Sequence, residues 1–272
     1  MIKAAVLGSP ISHSLSPLLH KVAYDALGLE SDYSRIEIKS GELAAFLTGC
    51  DESWRGFSLT MPLKEEVLEL ADEISELALT IRSANTLVAD NGKWSATTTD
   101  VSGFTHALDS HGRDASGDVL IIGAGATARA AAAACDGVSR RITVMARSLS
   151  RVDSISEAVK LSDVEFIPWG QTDIFESADL IISTTPNGAS DSLTQFFPLN
   201  PTSLFFDVLY HPWPTLALET WSGNGGQIID GLDLLIYQAI VQVGIFSGIS
   251  FDRASMAALM RSKGESALKT ST

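Results

Sequence analysis

The sequence predicts an α/β fold in two domains, the first built on a mixed sheet and the second on a doubly wound, mostly parallel sheet. From residue 119 onward, apolar strands alternate with helical segments, which is typical of parallel strands covered on both faces. The preceding block has Asn91-Gly92 between two strands, a hairpin signal that requires antiparallel neighbours. The 272 residues suffice for two domains of ordinary size.

The first domain is predicted to alternate short strands and helices. Its predicted strands are 4–7, 33–38, 56–60, 85–89 and 94–98, and its predicted helices are 16–27, 42–47 and 62–71. The first helix is expected to begin at Ser16-Pro17, because serine favours the N-cap position and proline favours the first helical turn. Because of its hairpin, this block forms a sheet separate from the one that follows.

The second domain is predicted to begin with a helix over about 103–112. Its predicted strands are 119–122, 142–146, 164–168, 180–183, 204–208 and 227–229. Two helices beyond Asp233 follow the last strand, so we expect them to return to the first domain. The predicted domains are therefore 1–101 with 235–272, and 102–234. Residues 267–272 are expected to be frayed.

The composition argues against several kinds of partner. A formal net charge of −14 is unsuited to nucleic acid or an anionic membrane, because both need a basic face. Cys50 and Cys135 have the spacing of neither a zinc site nor a disulfide framework, so we expect reduced thiols in a cytoplasmic protein without a metal. The N-terminus lacks the features of a signal peptide. Polar residues interrupt the apolar segment 232–249, which favours a buried helix over a membrane span.

The segment 119–130, Val-Leu-Ile-Ile-Gly-Ala-Gly-Ala-Thr-Ala-Arg-Ala, has the order strand, tight turn, helix that a nucleotide-binding crossover requires. Gly123 would allow the turn, Gly125 would let the backbone approach a pyrophosphate, and Ala128 stands where the fingerprint accepts Gly or Ala. The helix would direct free N–H groups and a positive dipole end at the phosphates. These features predict a Rossmann-type dinucleotide site. An unspecialised glycine turn in another α/β protein is the alternative.

The end of the second nucleotide strand indicates which cofactor is bound. A free ribose 2′-hydroxyl usually meets an acidic residue about 20 positions after the glycine turn. Here the strand runs into Ala146-Arg147-Ser148, and Arg151 follows. Two guanidinium groups and a hydroxyl suit a 2′-phosphate, so NADP is favoured over NAD. An exposed arginine pair at a strand end is the structural alternative.

Lys64 and Asp100 are the candidates for proton chemistry. Lys64 lies two positions into the helix predicted from Pro62, where the dipole disfavours a cation by roughly 0.3 to 1 kcal/mol. A lysine whose charged form is destabilised can serve as general acid and base. Asp100 ends a hydroxyl-rich stretch and could assist it. A surface lysine and an aspartate that caps the next helix are the structural alternatives.

Ser14 and Ser16 lie in one loop rich in Gly, Pro and Ser, and two hydroxyls in a loop can hold a polyol or a carboxylate. Helix capping already explains Ser16, so Ser14 is less easily explained by structure alone. His13 and His20 flank this loop without other residues at metal-ligand spacing. We therefore interpret both histidines as structural.

Together these residues resemble the shikimate dehydrogenase family over nearly the whole chain. Residues 8–17, Gly-Ser-Pro-Ile-Ser-His-Ser-Leu-Ser-Pro, are similar to the family's substrate loop, and 59–64, Leu-Thr-Met-Pro-Leu-Lys, to its catalytic motif. The resemblance implies that Lys64 is the catalytic lysine and Asp100 its partner carboxylate. It also implies substrate contacts by Ser14, Ser16, Thr60, Asn85, Tyr210 and Gln238.

The second half of the chain resembles the cofactor-binding motifs of the same family. The implied NADP contacts are Gly123, Ala124, Gly125, Ala126, Arg147, Ser148, Arg151, Thr184, Thr185 and Gly231. The sequence departs from the family pattern at Ser58, Thr98, Ala126, Ala146, Ser183, Ala189 and Leu234. These departures leave the proposed catalytic pair intact.

The resemblance implies reversible, NADPH-dependent reduction of the C3 ketone of 3-dehydroshikimate to shikimate, a step of chorismate and aromatic amino-acid biosynthesis. Hydride would pass to the carbonyl carbon in a cleft between two lobes while Lys64, positioned by Asp100, protonates the oxygen. We expect a small-molecule substrate and a monomer or homodimer. Two alternatives stay open: a quinate or aminoshikimate dehydrogenase, and a nucleotide-binding regulatory homologue without turnover.

Overall fold

The computed structural model of the chain describes residues 1–148 and 151–270. They form two compact units, one of Met1–Gly103 with Leu235–Ala267 and one of Phe104–Leu234 with the chain end from Leu268. Each unit contains a six-stranded sheet connected by helices. The predicted α/β class is confirmed.

The first unit contains the mixed sheet. Its strands are β1 (Ile2–Gly8), β2 (Ser31–Glu37), β3 (Trp54–Leu59), β4 (Glu73–Ile74), β5 (Thr86–Asp90) and β6 (Lys93–Thr97), in the order β2-β1-β3-β5-β6-β4. β1 is parallel to β2 and β3, whereas β5 is antiparallel to β3 and β6. The predicted hairpin is confirmed, since Asn91 and Gly92 have φ values of 51° and 77°, as a type I′ turn requires.

Short helices connect the strands of the first unit. They are α1 (Ser16–Ala26), α2 (Leu43–Thr48), α3 (Leu63–Glu66) and α4 (Glu76–Thr80). Leu63 is buried in an apolar cluster with strand residues that include Leu7, Phe57 and Leu87. This packing anchors α3 at the residue directly before Lys64.

The second unit has a parallel sheet. Its strands are β7 (Asp118–Ile122), β8 (Arg141–Ala146), β9 (Asp163–Pro168), β10 (Leu180–Ser183), β11 (Leu204–Asp207) and β12 (Gln227–Ile229), in the order β12-β11-β10-β7-β8-β9. The helices are α5 (Asp100–Ser110), which begins at the end of the first unit, α6 (Ala126–Cys135), α7 (Val152–Ala158) and α8 (Leu216–Gly223). This is the doubly wound order, in which ligands bind beyond the carboxyl ends of the central strands, here β7 and β10.

Two long helices complete the described chain, α9 (Gly231–Ser247) and α10 (Arg253–Thr270). Apolar side chains of α9, among them Leu232, Ile236 and Phe246, are buried, which explains the long apolar segment. Among the described residues, no helix combines the length and the apolar character needed to cross a membrane. The expectation of fraying from residue 267 is wrong as far as Thr270, because α10 continues to it, and residues 271–272 lie outside the described residues.

Several local predictions were wrong. Leu15, not Ser16, is the N-cap residue of α1, and the side chain makes no capping hydrogen bond. The helix predicted over 62–71 ends after one turn, because the chain tightens into a 3₁₀ turn in which Leu70 N bonds to Val67 O. Helix α5 begins at Asp100 rather than near residue 103. Neither β4 nor α4 was predicted. β4 is only one residue pair long, and α4 is only about one turn long.

Candidate active site

The serine loop, residues 8–17, lies beside Thr60. The loop follows β1 and Thr60 follows β3, and these strands are parallel neighbours, so their carboxyl ends meet at one edge of the sheet. Ser9 N donates a hydrogen bond of 3.0 Å to Met61 O across this edge. A side chain at Gly8 would collide with that of Thr60. The close approach therefore requires glycine.

Ser14 and Ser16 are buried at the start of α1. Ser16 N donates to Ser14 Oγ at 3.3 Å, so the two serines are in direct contact. Arg35 Nε, from β2, donates to Ser14 O at 2.8 Å. The arginine thereby ties the loop to the sheet and helps to fix where the two hydroxyls lie.

Lys64 and Asp100 form an ion pair in the first unit. Lys64 Nζ donates to Asp100 Oδ2 at 2.6 Å, and the two side chains are 17% and 7% exposed. Ala84 N donates to Lys64 O at 2.8 Å, which holds α3 against the start of β5. Asp100 is the first residue of α5, where the helix dipole favours a carboxylate. The sequence-predicted pair is therefore brought together in a largely desolvated position, where opposite charges attract strongly.

Asn85 is bonded to the same carboxylate. Its Nδ2 donates to Asp100 Oδ1 at 2.8 Å, while its Oδ1 accepts from Thr99 N at 2.8 Å and from Thr86 Oγ1 at 2.8 Å. The residue is 2% exposed. These bonds give the amide one orientation, with the nitrogen toward Asp100.

Gln238 reaches this cluster from α9. Asn85 Nδ2 donates to Gln238 Oε1 at 3.2 Å, and Gln238 Nε2 donates to Leu235 O at 2.9 Å. The structure thus brings four predicted site residues together through hydrogen bonds: Lys64, Asp100, Asn85 and Gln238.

The glycine turn of the second unit has the predicted geometry. Gly123 has a φ of 113°, and a side chain there would meet Thr184 at the end of β10. Gly125 is the N-cap residue of α6, and a Cβ added to it would have no heavy atom within 4 Å. The space above Gly125 and the free N–H groups of the first turn of α6 suit a phosphate group.

Arg147 and Ser148 follow the carboxyl end of β8 and are both exposed. The Arg147 guanidinium lies over the Trp169 ring, 5.9 Å from its centroid. Arg151, also exposed, precedes α7. Two cations at the strand next to the glycine turn fit the 2′-phosphate of NADP. In the described part of the chain, no group of three or more His, Cys, Asp or Glu is placed to hold a metal ion.

Two family models match the chain. One described as "Shikimate dehydrogenase substrate binding domain" matches residues 6–87, and one described as "Shikimate / quinate 5-dehydrogenase" matches residues 106–191. The shikimate dehydrogenase (NADP(+)) of Staphylococcus aureus strain Newman is 32% identical over 276 residues, which cover 97% of this chain and 100% of that protein. The chain belongs to the shikimate dehydrogenase family. The resemblance predicted from the motifs is confirmed.

Solved structures of shikimate dehydrogenases share this fold. The enzyme of Mycobacterium tuberculosis is 35% identical and superposes with a TM-score of 0.88, covering 95% of this chain and 100% of that one. The shikimate 5-dehydrogenase of Thermus thermophilus, in complex with NADP(H) and shikimate, is 29% identical with a TM-score of 0.85, covering 97% and 100%. The likeness therefore extends through both units.

The remaining residues implied by the shikimate dehydrogenase motifs lie at strand ends of the second unit. Thr184 Oγ1 donates to Ile122 O at 2.9 Å, and Thr185 Oγ1 donates to Ser190 Oγ at 3.2 Å. Gly231 is buried, and a side chain there would collide with the backbone that follows β11. Close packing therefore accounts for glycine at residue 231 without a ligand.

Asp207, at the carboxyl end of β11, was not predicted as part of any site. Thr215 Oγ1 donates to Asp207 Oδ2 at 2.7 Å, and Leu209 N donates to Oδ1 at 3.2 Å. Burial raises the pKa of the Asp207 carboxyl. These bonds hold the segment that carries Tyr210, a half-buried residue implied as a substrate contact.

Sequence reasoning also missed the polar residues behind the Lys64–Asp100 pair. Gln242 Nε2 donates to Thr86 Oγ1 at 2.8 Å, and Gln242 Oε1 accepts from Ser58 Oγ at 2.7 Å. Gln242 follows Gln238 by four residues in a mostly apolar helix, so both lie on one helix face. That spacing was the available signal.

Proposed function

We propose that this protein is an NADP-dependent shikimate dehydrogenase that reversibly reduces the C3 ketone of 3-dehydroshikimate to shikimate. The observation that carries the proposal is the desolvated Lys64–Asp100 pair, 2.6 Å apart, in a member of this family. The relatives named above are described as shikimate dehydrogenases, one of them NADP(+)-dependent. Reduction of a ketone needs a proton donor at the oxygen, and this pair supplies one.

Lys64 is the proton donor in the reducing direction. Its ammonium group donates to the carbonyl oxygen as negative charge develops there, and takes the proton back in the oxidising direction. Asp100 holds the ammonium in place. Asn85 keeps the carboxylate oriented, because its amide nitrogen bonds the other oxygen.

The first unit binds the substrate in this proposal. Buried Ser14 and Ser16 bind the carboxylate, since two hydroxyl donors in one loop can share its oxygens. Thr60, beside the serine loop, and Gln238, beside Asn85, bind ring hydroxyls. Tyr210, in the segment after β11 of the second unit, is a further substrate contact implied by the family motifs.

The second unit binds NADP(H), which supplies the hydride when bound. The turn that contains Gly123, Ala124, Gly125 and Ala126 holds the pyrophosphate at the N-terminus of α6. Arg147, Ser148 and Arg151 hold the 2′-phosphate, and Thr184 and Thr185 lie near the nicotinamide. The functional boundaries follow as 1–101 with 235–272 for substrate binding and catalysis, and 102–234 for the cofactor.

The cellular setting follows from composition and family. With a net charge of −14, the protein is not expected to bind nucleic acid or an anionic membrane surface. It works in the cytoplasm on a small-molecule substrate, as a monomer or a homodimer. Size-exclusion chromatography with light scattering distinguishes these two assemblies.

Quinate is the second candidate substrate, because the model matching residues 106–191 is described for both shikimate and quinate. The test is oxidation of shikimate and of quinate, each with NADP and with NAD, followed by the absorbance of the reduced nicotinamide. The highest kcat/KM is expected for shikimate with NADP. A higher kcat/KM for quinate with NAD would replace the proposal with a quinate dehydrogenase. Cofactor binding without turnover of any substrate would indicate a regulatory homologue.

A further inference from the structure

A continuous chain of hydrogen bonds runs through the first unit from Tyr33 to the carboxylate of Asp100. Its steps are Tyr33 OH to Ser58 Oγ (2.6 Å), Ser58 Oγ to Gln242 Oε1 (2.7 Å), Gln242 Nε2 to Thr86 Oγ1 (2.8 Å), Thr86 Oγ1 to Asn85 Oδ1 (2.8 Å) and Asn85 Nδ2 to Asp100 Oδ1 (2.8 Å). The chain joins residues on β2, β3, α9 and β5. It ends at the oxygen of Asp100 that does not face Lys64.

The direction of the bonds at Gln242 is set by a backbone carbonyl. Gln242 Nε2 also donates to Asn85 O at 3.0 Å, and a carbonyl can only accept. The amide oxygen of Gln242 must therefore face Ser58, whose hydroxyl donates to it. Ser58 has then used its proton, so its oxygen accepts from Tyr33 OH.

The direction at the other end is set by a backbone N–H and a carboxylate. Thr99 N can only donate, and it bonds Asn85 Oδ1 at 2.8 Å. Asn85 Nδ2 therefore faces Asp100. The hydroxyl of Thr86 accepts from Gln242 and must donate to Asn85 Oδ1. Every donor in the chain points toward Asp100.

The hydrogen-bond chain is buried, and every member before Asp100 is neutral. Ser58, Gln242, Thr86, Asn85 and Asp100 are each exposed by 5% or less. Burial raises the pKa of the Tyr33 phenol, so Tyr33 remains a neutral donor. Hydrogen bonds aligned in a low-dielectric interior polarise one another. An aligned chain that ends on a carboxylate therefore strengthens the bond from Asn85 to Asp100.

We propose that Gln242 and Thr86 are positioning residues for the Lys64–Asp100 pair, acting through Asn85. Gln242 holds Asn85 at two points. It bonds the backbone carbonyl of Asn85 directly, and it reaches the side-chain oxygen of Asn85 through Thr86. Asn85 in turn presents its amide nitrogen to Asp100, and the carboxylate keeps the geometry that Lys64 requires. The inference rests on the proposed function for the reaction that this geometry serves.

The test breaks the hydrogen-bond chain at two links, with substitutions that change the shape of the side chains little. Thr86→Val removes the relaying hydroxyl, Thr86→Ser restores it, and Gln242→Met removes the amide. Thr86→Val and Gln242→Met should each lower kcat for 3-dehydroshikimate roughly tenfold, as expected for a displaced catalytic group, with the NADPH Kd from fluorescence titration unchanged. Thr86→Ser should recover most of the loss. The double variant should be no slower than the slower single variant, because both changes break one chain.

The matched control is Thr97→Val. Thr97 lies on β6 directly opposite Thr86 in the hairpin, and its hydroxyl donates to Ser75 Oγ at 3.1 Å, outside the hydrogen-bond chain. The same substitution therefore removes a hydroxyl from the paired strand position, so kcat should stay at the wild-type value. A kcat equally reduced by Thr97→Val would attribute the losses to general destabilisation and would contradict the proposal.

A second measurement decides the inference without the reaction. In the free protein, hydrogen exchange of the Asn85 side-chain amide, assigned by its absence in Asn85→Ser, should be roughly tenfold faster in Thr86→Val and Gln242→Met than in wild type. Wild-type protein that does not reduce 3-dehydroshikimate would overturn the proposed function, and the amide exchange would still decide the positioning role. Unchanged exchange, or an unchanged kcat in an active enzyme, would overturn the inference.

Discussion

Lys64 Nζ lies 2.6 Å from Asp100 Oδ2, so the proposed proton donor and its partner carboxylate are in direct contact. The contact joins α3 to the first residue of α5, 36 residues further along the chain. Removing either side chain would leave its partner largely buried without an opposite charge, so the free energy of unfolding should be measured beside turnover for each variant.

Lys64→Ala should reduce kcat by about 10²- to 10⁴-fold, the usual contribution of a general acid and base. The KM for shikimate should change much less, because the proposed binding hydroxyls remain. Steady-state kinetics measure both quantities. Lys21→Ala is the control, since Lys21 is 70% exposed and pairs with Asp25 on the helix surface. Near-normal turnover of Lys64→Ala would remove the lysine from the catalytic role.

Arg147→Asp should weaken NADPH binding far more than NADH binding, because it replaces a cation with an anion at the proposed 2′-phosphate site. The measurement is kcat/KM with each cofactor. Arg141→Asp introduces the same charge change at the opposite end of β8 and should leave the preference unaltered. If Arg147→Asp keeps the wild-type preference, Arg147 does not contact the cofactor.

Gly123→Ala and Gly125→Ala should separate folding from cofactor binding. Gly123 has a φ of 113° and faces Thr184, so alanine there should lower the free energy of unfolding by about 1 to 3 kcal/mol. Gly125 has an ordinary φ of −87° and open space above it. Its alanine variant should nearly keep the wild-type Tm but raise the NADPH Kd. A Gly125→Ala protein with wild-type NADPH affinity would contradict the proposed pyrophosphate position.

His20 should make the protein less stable as the pH falls below neutral. Burial lowers the pKa of His20 from 6.5 to about 3, so between these values the unfolded chain binds a proton that the folded chain does not. The free energy of unfolding therefore rises with pH in this range. Proton binding by His20 in the unfolded chain should alone lower it by about 2 kcal/mol at pH 5 relative to neutral pH. Thermal unfolding at several pH values measures the effect.

The comparison for this prediction is His20→Phe, which keeps an aromatic ring against Tyr33, whose ring stacks on His20 at 3.9 Å. The variant should lose less stability on acidification than wild type. His13→Phe, at an exposed histidine, should keep the wild-type pH dependence. Identical pH profiles for His20→Phe and wild type would mean that His20 is protonated in the folded state.

Features that depend on neighbouring residues could be predicted from the amino-acid order. The hairpin at Asn91-Gly92 and the strand, turn and helix around Gly123 were predicted correctly, because left-handed backbone at these positions selects its residue types. Local predictions were wrong where the local pattern allows two outcomes. Ser16 could cap a helix or begin one, and the segment after Pro62 could continue as α-helix or tighten into a 3₁₀ turn.

The polar cluster behind the catalytic pair depended on contacts between distant parts of the chain. Gln238 lies 153 residues after Asn85, and Gln242 lies 184 residues after Ser58. The family motifs named Gln238 and Asn85, but no local pattern indicates that their amides meet or which atoms face Asp100. Those contacts form only when α9 packs against the sheet of the first unit. Hydrogen-bond partners that are remote in sequence are selected by packing, whereas turns and strand periodicity are selected by adjacent residues.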